Sequence, residues 1–190
     1  ANALTLLPEE LYENTRNVQL VNGLPQTETS KQALPSLDFT IEMETGTGKT
    51  YVYLRSVFEL NQKYGLTKFI IVVPSVAIKE GVYKSLQITE EHFRKEYKNV
   101  QYDYFVYDSS KREQVRNFAT NDYIQIMVIT VGAINKFGDE AAAAAEESDE
   151  AKRREKSKNK MYRASEKTGG ERPIDLIRNT RPILIVDEPQ

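Results

Sequence analysis

The chain has 190 residues, with 26 Lys and Arg against 28 Asp and Glu, and a net charge of −2. This length suits one domain with a full core, and the near-neutral charge neither supports nor opposes nucleic-acid binding. No apolar run approaches the roughly 20 residues of a membrane span and no signal peptide is visible, so no membrane role and a cytoplasmic location are expected. The lack of cysteine excludes disulfides and thiolate metal sites.

Residues 1–36 are predicted to form an extension that precedes the main domain. Their pattern predicts a helix over 8–16 and a short apolar strand over 18–21. A polar stretch follows, in which Asn22-Gly23 is a strong turn signal and two prolines favour a loop. This loop is expected to lead into the main domain.

From residue 37 to the end of the chain, strands and helices alternate, each recognised by its hydrophobic period. The predicted elements are, in chain order, a strand over 37–43, a helix over 50–64, a buried strand over 68–73, a helix over 76–97, a strand over 101–108, a helix over 111–119, a buried strand over 123–130, a short helix over 173–180 and a strand over 183–188. Such alternation implies parallel pairing through right-handed crossovers. We therefore predict a three-layer α/β sandwich with a mostly parallel sheet.

A charged segment at about 138–172 interrupts this alternation. It consists largely of Ala, Glu, Lys and Arg and has no apolar face to bury. An exposed helix or mobile insertion is the simpler interpretation, because charge runs are usually solvated. The alternative is a basic arm over 152–160 that contacts DNA.

A loop between the first predicted strand and helix has the composition of a phosphate cradle. Gly46 and Gly48 allow backbone N–H groups to converge on an anion, Lys49 suits the β and γ phosphates of ATP, and the Thr50 hydroxyl can ligate Mg²⁺. The general pattern begins with Gly where this chain has Met43, and the competing interpretation is an ordinary turn before a helix. The candidate nucleotide-binding residues are Glu44, Thr45, Gly46, Thr47, Gly48, Lys49 and Thr50.

Two adjacent acids end the last predicted strand. Carboxyl ends of parallel strands form the ligand-binding edge of an α/β sheet, so Asp187 is a candidate Mg²⁺ ligand and Glu188 a candidate group for orienting or deprotonating water. A solvated strand end is the alternative, although Pro189 restricts the backbone just beyond the acids. Lys49 and Glu188 are the candidate catalytic residues.

The sequences METGTGKT and DEPQ resemble motifs I and II of superfamily 2 helicases and translocases. With RPILIV, TGGERPIDLIR and VVPSVAIKEGV, the chain is similar to the Res subunit of Type III restriction enzymes over most of residues 37–190. The resemblance implies a RecA-like P-loop NTPase fold, with ATP, Mg²⁺ and double-stranded DNA as ligands and a modification (methyltransferase) subunit as partner. It also implies that the intact enzyme cuts DNA after ATP-driven communication along it.

The same resemblance assigns DNA contacts to Pro74, Ser75 and Lys79, and to Thr130 and Gly132 within 129–136. A Pro-Ser helix start is equally ordinary capping chemistry, so both interpretations stand. Related motors often read adenine with an upstream glutamine, and the residues leave the choice among three: Gln19, Gln26 and Gln32.

In this family the second motor domain, its arginine finger and the nuclease lie beyond the motif that ends at Gln190. The 190 residues alone are therefore expected to hydrolyse ATP poorly and to leave DNA uncut. Two other functions remain open: a superfamily 2 motor that acts on RNA or chromatin, and a module that senses ATP without hydrolysing it.

Overall fold

The computed structural model describes residues 1–28, 33–135, 170 and 172–188. It contains two compact units: the larger comprises Ala1–Ala3 and Gly48–Gln190, and the smaller Leu4–Thr47. The charged insertion predicted at about 138–172 lies outside the described residues except for Gly170 and Arg172. The basic arm over 152–160 also lies outside them.

The smaller unit is built on helix α1 (Pro8–Val21). The Glu10 carboxylate accepts a hydrogen bond of 2.8 Å from the backbone N–H of Leu7, just before the helix, which satisfies a donor at its start. The strand predicted over 18–21 is wrong, because these residues form the last turn of α1. The first strong stop signal is Asn22-Gly23, and the helix continues until it reaches that signal.

The strand predicted over 37–43 is also absent, since these residues have no regular hydrogen bonding. The apolar side chains that suggested it are exposed: Leu37 at 62%, Phe39 at 57% and Ile41 at 82%. An alternating pattern forms a strand only where a neighbouring strand supplies backbone partners. None of the described residues pairs with this segment.

The larger unit alternates helices and strands as predicted, with boundaries shifted by a few residues at most. Its elements are α2 (Lys49–Tyr64), β1 (Lys68–Val73), α3 (Val76–Glu96), β2 (Tyr102–Val106), α4 (Arg112–Thr120), β3 (Ile124–Thr130), α5 (Val131–Asn135), α6 (Pro173–Asn179) and β4 (Ile183–Val186). Within the described residues the strands form one sheet in the order β2-β3-β1-β4, and every pair is parallel.

Hydrophobic clusters cover both faces of this sheet. On one face, side chains of the strands pack with α2 and α3 around Phe69, Ile71, Leu54, Phe58 and Phe93. On the other face, a second cluster joins β1 and β3 to α4 and α6 through Ile70, Met127, Val115, Phe118 and Ile177. Each such side chain contributes about 1.5–3 kcal/mol by leaving water. The α/β sandwich prediction is confirmed, and the arrangement is consistent with a RecA-like domain.

Across the part of the chain that the structure describes, no helix combines the length and apolarity required to cross a bilayer.

Candidate nucleotide-binding site

The carboxyl ends of β1, β3 and β4 meet at one edge of the sheet, here called the carboxyl edge. In the register of the sheet Val73 lies opposite Thr130, and Val72 lies opposite Val186. The backbone N–H of Asp187 continues the ladder by donating to the carbonyl of Val72 at 2.9 Å. The residues that follow these three strands are therefore brought together at this edge.

Helix α2 begins with the two polar residues of the predicted phosphate loop, Lys49 and Thr50. The preceding residue, Gly48, has φ 88° and ψ 28°, a left-handed conformation that glycine adopts at little cost. A Cβ added to Gly48 would have no atom within 4 Å, so backbone conformation rather than space favours glycine here. The first N–H groups of a helix lack helical partners and carry its positive dipole end, which suits an anion.

The other residues of the predicted loop lie in the smaller unit. There Thr47 closes a tight turn on Glu44, whose carbonyl accepts from the Thr47 N–H at 3.4 Å and from its hydroxyl at 2.6 Å. Between them Gly46 has φ 81°, and Thr45 precedes it in the same turn. Backbone conformation thus favours glycine at both loop positions where the sequence predicted it.

An ion pair joins the start of α2 to the end of β4. The Lys49 Nζ lies 3.3 Å from Glu188 Oε1, and the two side chains are 30% and 47% exposed. Such a solvated pair contributes only about 0–1 kcal/mol. Glu188 has φ 53°, a backbone conformation that is uncommon for residues other than glycine and that is concentrated at functional sites.

A contact that the sequence reasoning missed involves Tyr53, whose hydroxyl donates to Asp187 Oδ2 at 3.4 Å. Burial is the main cause that raises the pKa of Tyr53, and the charge of Asp187 raises it further, while a hydrogen bond with the Thr50 side chain acts in the opposite direction. Tyr53 lies three residues after Thr50, on the same helix face. That spacing was the only available signal.

The donor set at this edge suits Mg²⁺ better than a transition metal. Thr50 and Asp187 offer a hydroxyl and a carboxylate, and Mg²⁺ is usually held by one or two protein oxygens, substrate phosphates and water. No group of three or more His, Cys, Asp or Glu able to hold a metal occurs among the described residues. A site for Mg²⁺ would therefore rely on the phosphates of a nucleotide.

Two predicted DNA-contacting residues, Pro74 and Ser75, follow β1 at the carboxyl edge and are exposed. The Ser75 hydroxyl accepts from the backbone N–H of Ile78 at 3.3 Å and so caps α3. Lys79, in the first turn of α3, lies 3.6 Å from the Glu80 carboxylate. Capping is thus one role of Ser75, and its contact with DNA stays a prediction.

The other predicted DNA-contacting residues lie at the end of β3. Thr130 is the last residue of that strand, and its hydroxyl accepts from the backbone N–H of Ala133 at 3.2 Å. Gly132 is exposed in the short helix α5. Both predicted segments therefore lie beside the carboxyl edge, at neighbouring strands.

The candidate adenine-reading glutamines lie in the smaller unit. Gln19 uses both atoms of its amide on Thr27, at 2.9 and 2.7 Å, and Gln26 accepts from Arg16 at 2.8 Å. Gln32 lies outside the described residues. The choice among the three glutamines for the contact to adenine stays open.

Comparison with known sequences identifies the family of this chain. The family profile described as "Type III restriction enzyme, res subunit" matches residues 16–189. The chain belongs to this family. The resemblance predicted from its motifs is thereby confirmed.

Curated relatives in the Res family agree with this match. The chain is 32% identical to the Type III restriction-modification enzyme EcoP15I Res subunit of Escherichia coli and 29% identical to the EcoPI Res subunit of Escherichia phage P1, each over 98% of this chain and 19% of the relative. It is 32% identical to the StyLTI Res subunit of Salmonella typhimurium over 78% of this chain and 15% of the relative. The chain thus spans about a fifth of the length of the first two relatives.

Proposed function

We propose that this chain is the ATP-binding part of a DNA-translocating motor in a cytoplasmic Type III restriction enzyme, where hydrolysis of Mg-ATP drives movement on DNA. The observation that carries the proposal is the 3.3 Å approach of Lys49 Nζ to Glu188 Oε1. These residues are 139 positions apart and come from the two sequence elements that a P-loop NTPase brings together.

Lys49 supplies the charge that binds the β and γ phosphates, together with the N–H groups at the start of α2. In the structure its ammonium is paired with Glu188, and both side chains are partly exposed. Because a solvated pair is worth only about 0–1 kcal/mol, a phosphate can replace the carboxylate at little cost. Glu188 is then released for another role.

Thr50 and Asp187 would hold Mg²⁺, which supplies neutralisation of the phosphate charge when it is bound. Thr50 is fixed by its place in the first turn of α2. Asp187 is fixed by the hydrogen bond between its backbone N–H and the Val72 carbonyl. The backbone of both residues is therefore held by the secondary structure of the larger unit.

Glu188 would accept a proton from water or orient it for attack on the terminal phosphate. Its side chain is exposed at the end of β4, so water can reach the carboxylate. Its positive φ sets the direction of the side chain just beyond β4. The neighbouring acids thereby take different roles, one on the metal and one on water.

The DNA and partner assignments extend the proposal to the intact protein. Double-stranded DNA would contact Pro74, Ser75 and Lys79 after β1 and Thr130 and Gly132 after β3, where backbone phosphates are usually bound by hydroxyl, ammonium and N–H groups. A modification (methyltransferase) subunit is the proposed protein partner, since the relatives are named as subunits of restriction-modification enzymes.

Replacing Lys49 with Ala tests the proposal directly. We expect the affinity for a fluorescent ATP analogue to fall about a hundredfold, as when one group of a charged hydrogen-bonded pair is removed from a binding site. The matched control is Lys63→Ala, which removes an exposed lysine at the other end of α2, 3.7 Å from Glu59.

Lys63→Ala should bind the analogue like the wild type, and all three proteins should unfold at the same temperature. Equal affinity of Lys49→Ala and the wild type would refute nucleotide binding at this site. A wild type that fails to bind ATP with and without Mg²⁺ would refute the function as a whole.

A further inference from the structure

We propose that Tyr53 is a positioning residue for the carboxylate of Asp187, and that its hydroxyl sets how tightly the site holds Mg²⁺. The inference rests on the proposed function, since it gives Asp187 a metal to bind. Nothing in the sequence motifs marks Tyr53, which follows the phosphate loop by three residues in α2.

The Tyr53 ring fixes where its hydroxyl can reach. It is partly buried and packs on the core cluster formed by α2, α3 and the sheet. A ring held by packing places its hydroxyl with little freedom, because only two side-chain torsions are involved. That hydroxyl donates to Asp187 Oδ2 at 3.4 Å.

Asp187 needs such support because it lies just beyond the last residue of β4. Its backbone is tied to β1 through the Val72 carbonyl, but this bond leaves rotation of the carboxylate unrestricted. A hydrogen bond to one carboxylate oxygen restricts that rotation and leaves the other oxygen available as a ligand. Outer partners of this kind orient metal ligands and are usually worth about tenfold or more in metal affinity.

Helix α2 connects this contact to the other proposed ligand. Thr50 lies one helical turn before Tyr53, on the same face of α2. The Thr50 side chain is also hydrogen-bonded to Tyr53. Tyr53 thereby links the carboxylate on β4 to the ligand on α2.

A second tyrosine on the same helix provides a matched control. Tyr51 is hydrogen-bonded through its hydroxyl to His92 Nε2 at 2.8 Å, and its ring stacks on Phe93 at 5.4 Å between centroids. Tyr51 thus shares the helix, the partial burial and a bonded hydroxyl with Tyr53, but its hydroxyl contacts α3 instead of Asp187.

The test compares Tyr53→Phe with Tyr51→Phe in the intact protein. Each substitution removes one hydroxyl and retains the ring. Binding of a fluorescent ATP analogue is measured as MgCl₂ is increased, and again in EDTA. For Tyr53→Phe we expect the half-saturating Mg²⁺ concentration to rise about tenfold, with no change in affinity in EDTA; Tyr51→Phe should match the wild type in both.

Thermal unfolding separates positioning from general stability. Tyr53→Phe and Tyr51→Phe should both retain midpoints within about 4 °C of the wild type, the shift that corresponds to roughly one hydrogen bond. An unchanged Mg²⁺ midpoint in Tyr53→Phe would overturn the inference. So would an equal loss of affinity for the ATP analogue with and without Mg²⁺. An equal rise of the half-saturating Mg²⁺ concentration in Tyr51→Phe would also overturn it.

These results are distinguishable from failure of the proposed function. If the wild type binds the analogue without any dependence on Mg²⁺, the metal site itself is refuted. If the wild type depends on Mg²⁺ and Tyr53→Phe behaves identically, only the role of Tyr53 is refuted.

Discussion

A lysine lies at each of two opposite edges of the sheet, the amino edge where the parallel strands begin and the carboxyl edge where they end, and the surroundings of the two lysines differ. Lys68 begins β1 at the amino edge of the sheet; it is 1% exposed, donates to the carbonyl of Asn121 and lies 5.8 Å from the Phe118 ring centroid. Lys49, at the carboxyl edge, is 30% exposed and pairs with Glu188. One lysine is fixed by the core, and the other is free to exchange its partner with solvent or a ligand.

Asn2 extends the contrast at the amino edge. It is 6% exposed and its side chain donates to the Lys68 carbonyl at 2.8 Å and accepts from the N–H groups of Thr67 and Lys68 at 2.8 and 3.1 Å. Its backbone N–H donates to the Thr180 carbonyl, just before β4. Buried, fully bonded groups stabilise the sheet at one edge, whereas exposed groups at the other remain available for binding.

The largest effect is expected for a substitution at the carboxyl edge. Replacing Glu188 with Gln should lower DNA-stimulated ATP turnover of the intact protein about 10³-fold, because the amide cannot accept a proton from water. Affinity for the ATP analogue should change little. Turnover is measured by phosphate release, with Glu91→Gln as the control, since Glu91 is an exposed glutamate 2.7 Å from Lys95 on α3.

Equal turnover by Glu188→Gln and the wild type would contradict the assignment of Glu188. A wild type that binds ATP but releases no phosphate with DNA would favour a module that senses ATP.

The next largest effect is expected for a substitution at the amino edge. Asn2→Ala should lower the free energy of unfolding by about 2–3 kcal/mol, since it leaves buried backbone groups of Thr67 and Lys68 without partners. The thermal midpoint should fall by about 4–12 °C, while the folded protein keeps its affinity for ATP. The control is Asn179→Ala, which replaces an exposed asparagine at the end of α6. If the folded Asn2→Ala protein lost affinity for ATP, this would contradict the separate roles of the amino edge in stability and the carboxyl edge in binding.

The smallest effect is a pH dependence at Lys68. Burial lowers the pKa of Lys68 from its ordinary value of 10.5, and Asp122 acts in the opposite direction. The folded protein therefore releases this proton at a lower pH than the unfolded chain, so the contribution of Lys68 to stability rises with pH between the two pKa values. As the pH is raised from neutral toward the ordinary lysine pKa of 10.5, the wild type should gain stability relative to Lys68→Met, measured by urea unfolding. A gain on lowering the pH would contradict the burial of the charged lysine.

The sequence predicted the sheet best where strands are buried on both faces. Strands β1 and β3 are mostly apolar and buried along nearly their whole length, as is typical of strands in the centre of a parallel sheet. The acids after β4 were identified because a strand end marks an edge of the sheet. By contrast, the segments 18–21 and 37–43 were predicted as strands from local patterns alone. A local pattern does not show whether a neighbouring strand is available to pair with the segment.

Contacts between distant side chains were beyond such reasoning. Tyr53 reaches Asp187 because α2 packs on the sheet beside β4, and Asn2 reaches Lys68 because the first residues lie against the amino edge. No motif joins the two members of either pair, which are 134 and 66 positions apart. Contacts of residues that support a site, such as Tyr53 on Asp187, depend on packing between distant elements, which the sequence does not show.

The position of β4 also bears on how the protein behaves in concentrated solution. Among the described strands β4 is last in the sheet, and two of its side chains, Leu184 and Val186, are 60% and 48% exposed. An apolar border strand invites self-association unless charges flank it, and here Arg181 precedes it and Asp187 and Glu188 follow it. The acids proposed for chemistry thus also flank an exposed apolar strand, so light scattering should be measured on variants that neutralise them before their kinetics are compared.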